Sequence, residues 1–325
     1  MARILCAWEF GSGLGHLTRL LPIARKLHDA GHEIVSLDRE VSDAVELTSR
    51  DAVTQAAVDL TDAHAAAAVV ADARADALVH LAAIAVPFSA PEDVILRTNA
   101  ALALNTMSAA VTAGVPRIVT ASSPTVLGYG SPTGWVPPSM PLDESTPPRP
   151  WNAYALSKLL AEQTAAMLAR QTGDATRFAA FRPCYVIAPE EWEGALTQQG
   201  HTVRERLDDP ALSAPAVFNY VDARDVAAFV DVLLAAMGDI PNAETFFVGA
   251  DDALAREPLC DLVPRFHPGT EEVAAGLVGT TPAFTSAKAA RLIGWRPTRT
   301  WRDELAAADA RAAGSSPDSR KDTAA

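Results

Sequence analysis

Short, nearly continuous apolar runs alternate with longer alanine- and leucine-rich stretches along this chain. The clearest runs lie near 3–8, 33–38, 76–82, 116–121 and 178–186. Strands that are apolar throughout, rather than alternating in polarity, are strands buried on both faces. Their alternation with helical stretches predicts βα units on a doubly wound parallel sheet, an α/β fold. Two segments, 129–152 and 187–218, break this rhythm with Pro, Gly, Trp and acidic residues, and read as substrate-side loops and a smaller lobe. No internal repeat is present. The polar end, 312–325, is expected to be disordered.

At 325 residues the chain can bury one α/β core and a lesser lobe. A net charge of −13 argues against nucleic-acid partners and anionic membranes. No run is apolar enough to span a bilayer, and the N-terminus lacks a signal-peptide pattern. Cys6, Cys184 and Cys260 are odd in number and scattered, so they read as reduced thiols of a cytoplasmic protein. The seven histidines are separated along the chain, and no metal is expected. His80 reads as a hydrogen-bonded core residue, Glu190-Glu191 as a solvated loop and Asp143-Glu144 as turn residues. For His16 a ligand-facing and a structural role stay equally open.

One pair carries chemistry. Tyr154 and Lys158 are four residues apart at the start of a helical run, hence on one helix face, one turn apart. An ammonium so close is expected to pull the tyrosine pKa down from about 10 toward that of a general base. Some thirty residues earlier, Arg117-Ile-Val-Thr-Ala-Ser-Ser-Pro runs an apolar strand into paired serines, as a parallel strand does where it opens onto a site.

With Val126-Leu127-Gly128, the Asp143-Glu144…Pro148…Pro150 segment and Tyr154-x-x-x-Lys158, the chain resembles the extended short-chain dehydrogenase/reductase family, the NAD-dependent epimerases and dehydratases. Leu127 stands where the family has an aromatic residue. Asp76–Ala83, Arg97–Asn105, Phe181–Ile187, Tyr220–Ala227 and Ser286–Pro297 extend the likeness, in order, over about residues 33–305. The resemblance implies a Rossmann domain over 1–186 with return segments near 219–249, and a substrate lobe over 187–311. It implies Tyr154 as the proton-transferring group, Lys158 on the ribose hydroxyls, Ser123 rather than Ser122 on the substrate oxygen, and Asn99 bridging backbone and a relay water. NAD would meet Leu81, Ala82 and Ala83, Asp59 and Leu60 beside the adenine, Lys158 and Tyr185. Asp38 at the end of the second strand favours NAD over NADP by accepting from the ribose 2′-hydroxyl. Tyr185 occupies the place of an asparagine usual in sugar-nucleotide members, which argues against a nucleotide-sugar substrate. A small-molecule substrate is implied, as is a homodimer through the helices near 97–113 and 154–171, with Leu102, Leu104, Met107, Leu156, Leu160 and Met167.

The first 32 residues differ. Gly11, Gly13 and Gly15 are spaced Gly-x-Gly-x-Gly, and with His16 this opening resembles that of two-domain glycosyltransferases. The pyrophosphate of NAD would lie on this loop and on the helix that follows. Pro22 belongs near a helix start, so the first helix is expected to begin late, with Thr18 as N-cap. Three functions follow from the sequence: an NAD(P)-dependent oxidoreductase or epimerase, a noncatalytic dehydrogenase-like binding protein, and a glycosyltransferase-like protein.

Overall fold

In the computed structural model the described residues are 1–8, 14–41 and 53–314, with the backbone alone for 14–20 and 314. Seven parallel strands form the central sheet: β1 Arg3–Ala7, β2 Glu33–Asp38, β3 Val53–Ala57, β4 Ala77–His80, β5 Arg117–Ala121, β6 Arg177–Pro183 and β9 Glu244–Val248. Their order is β3-β2-β1-β4-β5-β6-β9, so the winding reverses between β1 and β4, where such sheets open a crevice at their carboxyl ends. Two short strands, β7 Val186–Ile187 and β8 Val221–Asp222, pair apart from it.

Among the described residues, five longer helices flank the sheet, α1 Leu14–Asp29, α2 Ala63–Ala73, α3 Glu92–Thr112, α4 Ala153–Thr172 and α5 Ala223–Ala236, and a sixth, α6 Trp301–Gly314, packs apart from it. α1 and α5 share one face with Ile4, Cys6, Val79, Val119 and Phe181. α2, α3 and α4 cover the other, with Leu5, Val35, Leu78, Ile118 and Phe178. A further apolar cluster joins Ile187, Trp192, Leu207, Tyr220 and Leu254 to Trp301 and Leu305 of α6. None of the described helices is long and apolar enough to cross a membrane.

Several sequence expectations need correction. α1 begins at Leu14, not after Thr18, and carries Pro22 inside it. An interior proline costs about 3 kcal/mol. Leu21, Ile23, Ala24 and Leu27 are buried, and burial stabilises by about 1.5–3 kcal/mol per large apolar side chain, which outweighs the loss. Gly15 therefore lies in the first turn of α1, whereas Gly11 and Gly13 lie outside the described residues. Residues 312–314, expected to be disordered, are the last residues of α6, and 315–325 lie outside the description. Glu191 is buried rather than solvated, because its carboxylate accepts from Ala188 N at 2.6 Å and caps a short helix over Pro189–Trp192.

The Asp143-Glu144 pair divides. Asp143 is the turn residue foreseen, accepting from Ser145 N at 2.9 Å. Glu144 reaches the outer edge of the sheet, where its carboxylate accepts from Phe247 N of β9 at 2.6 Å. Two residues back on the same strand, Lys288 Nζ donates to Thr245 O at 2.8 Å.

Candidate active site

The site begins where β5 ends. Ser123 is extended, with φ −159° and ψ 147°, and caps a 3-10 turn over Pro124–Leu127. Its Oγ accepts from Thr125 Oγ1 at 2.9 Å and Thr125 N at 3.3 Å, which leaves its own proton to give. The Ser123 side chain stands close enough to the Tyr154 hydroxyl to lower its pKa. The turn closes at Gly128, φ +84°, where an added Cβ would lie 2.2 Å from the Arg149 carbonyl oxygen. Only glycine lets the segment leading into α4 pass so close.

α4 starts cleanly because Asn152 accepts from Ala155 N at 2.8 Å. Its first turns place Tyr154 and Lys158 on the buried face, 8% and 6% exposed. Lys158 Nζ donates to Ala121 O at 3.1 Å and stands 5.8 Å from the Tyr154 ring centroid. Asn99 of α3 fastens the loop after β4 to this helix. Its Nδ2 donates to Ser157 Oγ at 2.9 Å and to Ile84 O at 3.2 Å, and its Oδ1 accepts from Ile84 N at 2.7 Å. Both amide protons are thus engaged in clamping, and one lone pair of Oδ1 remains for any water. Ser123, Tyr154, Lys158 and Asn99 are brought together.

The electrostatics run against one expectation. Burial pushes Tyr154 up to about 12; the Ser123 hydrogen bond opposes this only in part, and no lowering by Lys158 is resolved. The lysine is itself buried and lowered to about 8, so its charge is the weaker partner in the bargain. His80, at the end of β4, is buried and held neutral, lowered to about 3 by burial and by the charge of Lys158. It is not the hydrogen-bonded core residue expected, since its Nδ1 has no hydrogen-bond partner among the described residues.

The residues assigned to the dinucleotide fall in two groups. Asp38 is buried at the carboxyl end of β2 and accepts from Arg39 N at 2.5 Å. Leu81, Ala82 and Ala83 follow β4 across the switch point, with Leu81 N and Ala82 N both donating to Ala7 O. Lys158 spends one of its three protons on Ala121, leaving donors for ribose hydroxyls. A carboxylate at the end of β2 and the remaining donors of Lys158 suit the ribose hydroxyls of NAD. Leu60 is buried, while Asp59 is exposed and accepts from Thr61 N at 2.9 Å. Tyr185 turns elsewhere, its ring packed 4.4 Å from the Arg206 guanidinium carbon and grouped with the cluster around Trp192.

Sequence reasoning missed Tyr129, Asn219 and Cys184. Tyr129 is buried, its pKa raised by burial first and then by Cys184, with Asn219 opposing and Tyr154 adding to the shift. A signal existed, since Tyr129 lies two residues beyond Leu127, where an aromatic was lacking.

The family described as NAD dependent epimerase/dehydratase matches residues 22–249. Uronate dehydrogenase of Agrobacterium fabrum is 30% identical over 219 residues, 65% of this chain and 78% of that protein. UDP-glucose 4-epimerase of Azospirillum brasilense is 32% identical over 143 residues, 43% of this chain and 39% of that one. In fold the chain is similar to a short-chain dehydrogenase/reductase superfamily protein from Agrobacterium tumefaciens, solved with bound NAD, at TM-score 0.64 and 21% identity, covering 96% of this chain and 98% of that one. A match over residues 22–249, together with these relatives, makes this chain a member of the NAD dependent epimerase/dehydratase family, whose enzymes use NAD.

Proposed function

We propose that this protein oxidises, or reversibly interconverts, a hydroxyl-bearing carbon of a sugar or sugar acid, with Tyr154 transferring the proton. The observation that carries this reading is the meeting of Ser123, Tyr154 and Lys158 at the end of β5. Likeness to a uronate dehydrogenase over 65% of the chain supports the substrate class. NAD, when bound, supplies the hydride acceptor. Ser123 fixes the substrate oxygen against the tyrosine. Tyr154 exchanges the hydroxyl proton, and Lys158 holds ribose hydroxyls with its remaining donors. With the tyrosine at about 12, the protonated form prevails at neutral pH, so the oxidation rate rises with pH from there. The smaller lobe over 187–311 completes the substrate side.

Calorimetry with NAD and NADP, followed by NADH formation on D-glucuronate, D-galacturonate and UDP-glucose, tests the reading. NAD binds more tightly than NADP because Asp38 repels a 2′-phosphate. Tighter NADP binding overturns the Asp38 argument, and silence with both cofactors favours a noncatalytic protein.

A homodimer through α3 and α4 belongs to the same proposal. Leu104, Leu156 and Leu160 are exposed at 46%, 36% and 38%, whereas Leu102 and Met107 face the core. Light scattering giving a monomer mass would refute it.

A further inference from the structure

Three consecutive residues at the end of β5 are each held by a different turn of α4. Ser123 meets the Tyr154 hydroxyl and lowers its pKa, Ala121 O accepts from Lys158 Nζ at 3.1 Å, and Ser122 Oγ donates to Glu162 Oε1 at 2.5 Å. Residues 154, 158 and 162 recur every four positions and so line one face of the helix. Two of these contacts involve groups that the proposed reaction uses. The third does not, and it is the most firmly fixed.

Glu162 is fixed from a third element. Arg182 on β6 donates through Nε to Oε1 and through Nη2 to Oε2, both at 2.8 Å. The two side chains are only 5% and 6% exposed. A bidentate guanidinium–carboxylate pair admits essentially one orientation. A buried ion pair adds little net stability over apolar residues of the same volume, because desolvation offsets the attraction. What this one supplies is geometry.

We infer that Glu162 is a positioning residue of the site: gripped by Arg182, it holds Ser122 and so sets the register of the end of β5 on α4. The placement of Ser123 and Lys158 relative to Tyr154 depends on that register. The inference rests on the reading of Tyr154 as the proton-transferring group, and it adds a role to a carboxylate that touches neither substrate nor cofactor.

Replacing Glu162 itself would leave Arg182 buried and uncompensated, and the protein could fail to fold for that reason alone. The informative change is Ser122→Ala, which cuts the strand–helix tie and leaves the ion pair intact. Turnover of the NAD-linked reaction should fall about tenfold or more, with KM and NAD affinity nearly unchanged. Ser122→Thr, which keeps the hydroxyl, should recover most of that loss. The second readout is the titration of Lys158 by NMR of isotope-labelled lysine side chains, without any cofactor. Its midpoint near 8 should move up in Ser122→Ala, as a loosened helix hydrates the ammonium. Unchanged turnover per folded molecule, even with a lowered melting temperature, overturns the inference and leaves a purely structural tie. If the wild-type protein neither binds NAD nor turns over, the NAD-linked reading has failed by itself. The lysine midpoint then decides, and an unmoved value in Ser122→Ala overturns the positioning role.

Discussion

Under α1 and α5 the sheet presents Cys6, Val79, Val119 and Phe181; one residue after the last three, on the side of α3 and α4, come His80, Thr120 and Arg182, joined by Ser122 just past β5. Both sets are buried. The first needs only contact, which any well-shaped hydrocarbon neighbour supplies. The second needs partners, and it does not find them all: His80 Nδ1, Thr120 Oγ1, Arg182 Nη1 and Thr106 Oγ1 of α3 have none among the described residues. Each such group costs about 1–3 kcal/mol. Both faces bury apolar clusters, and the fixed polar groups of the candidate site lie with the second.

If that division holds, substitutions on the two faces should fail in different ways. Phe229 of α5 packs its ring 5.7 Å from Phe181, 5.8 Å from Phe246 and 5.2 Å from Trp295. Phe229→Ala should cost about 3–5 kcal/mol in denaturant unfolding. Turnover per folded molecule should stay near wild type; a proportionate loss of turnover would show that the faces are not separable. Tyr154→Phe should do the reverse. It keeps the ring and removes the oxygen, lowering turnover about a hundredfold or more, with stability little changed. Equal rates would make this tyrosine structural.

The third effect concerns His80 and is a slope. Its folded pKa, about 3, lies below the ordinary 6.5, so in that window the unfolded chain binds more protons. Stability from this group is present above 6.5 and is lost as pH falls toward 3, by about 1.4 kcal/mol per pH unit. His80→Gln should flatten the acid side of a stability–pH curve by that amount. A slope as steep as wild type would mean that His80 is hydrated and already titrates normally.

The sequence announced some of this and hid the rest for physical reasons. β1, β2, β4, β5 and β6 are flanked on both sides and so read as apolar runs. β3, Val-Thr-Gln-Ala-Ala, is an edge strand, partly exposed along its length, and carries no such pattern. β9 is the opposite edge, and it too went unread. In the site, Tyr154 and Lys158 were legible because one helix sets their spacing. Ser123 could be preferred to Ser122 only through family resemblance. Glu162 lies two turns beyond the tyrosine on the same helix, yet its partner Arg182 comes from a strand, and no spacing rule links the two. The raised tyrosine pKa was illegible for a similar reason, since burial is a property of the assembled layers.

The capped rim at β9 bears on how copies of this protein can meet. An open sheet edge offers unpaired N–H and C=O groups that invite another chain to add a strand. Here Glu144 already answers Phe247 N, and Lys288 already answers Thr245 O. An incoming strand would have to displace a carboxylate and an ammonium before gaining its first ladder bonds. Self-association by extending the sheet at this rim is therefore disfavoured, and crowded solutions of the folded protein are guarded there against edge-to-edge aggregation.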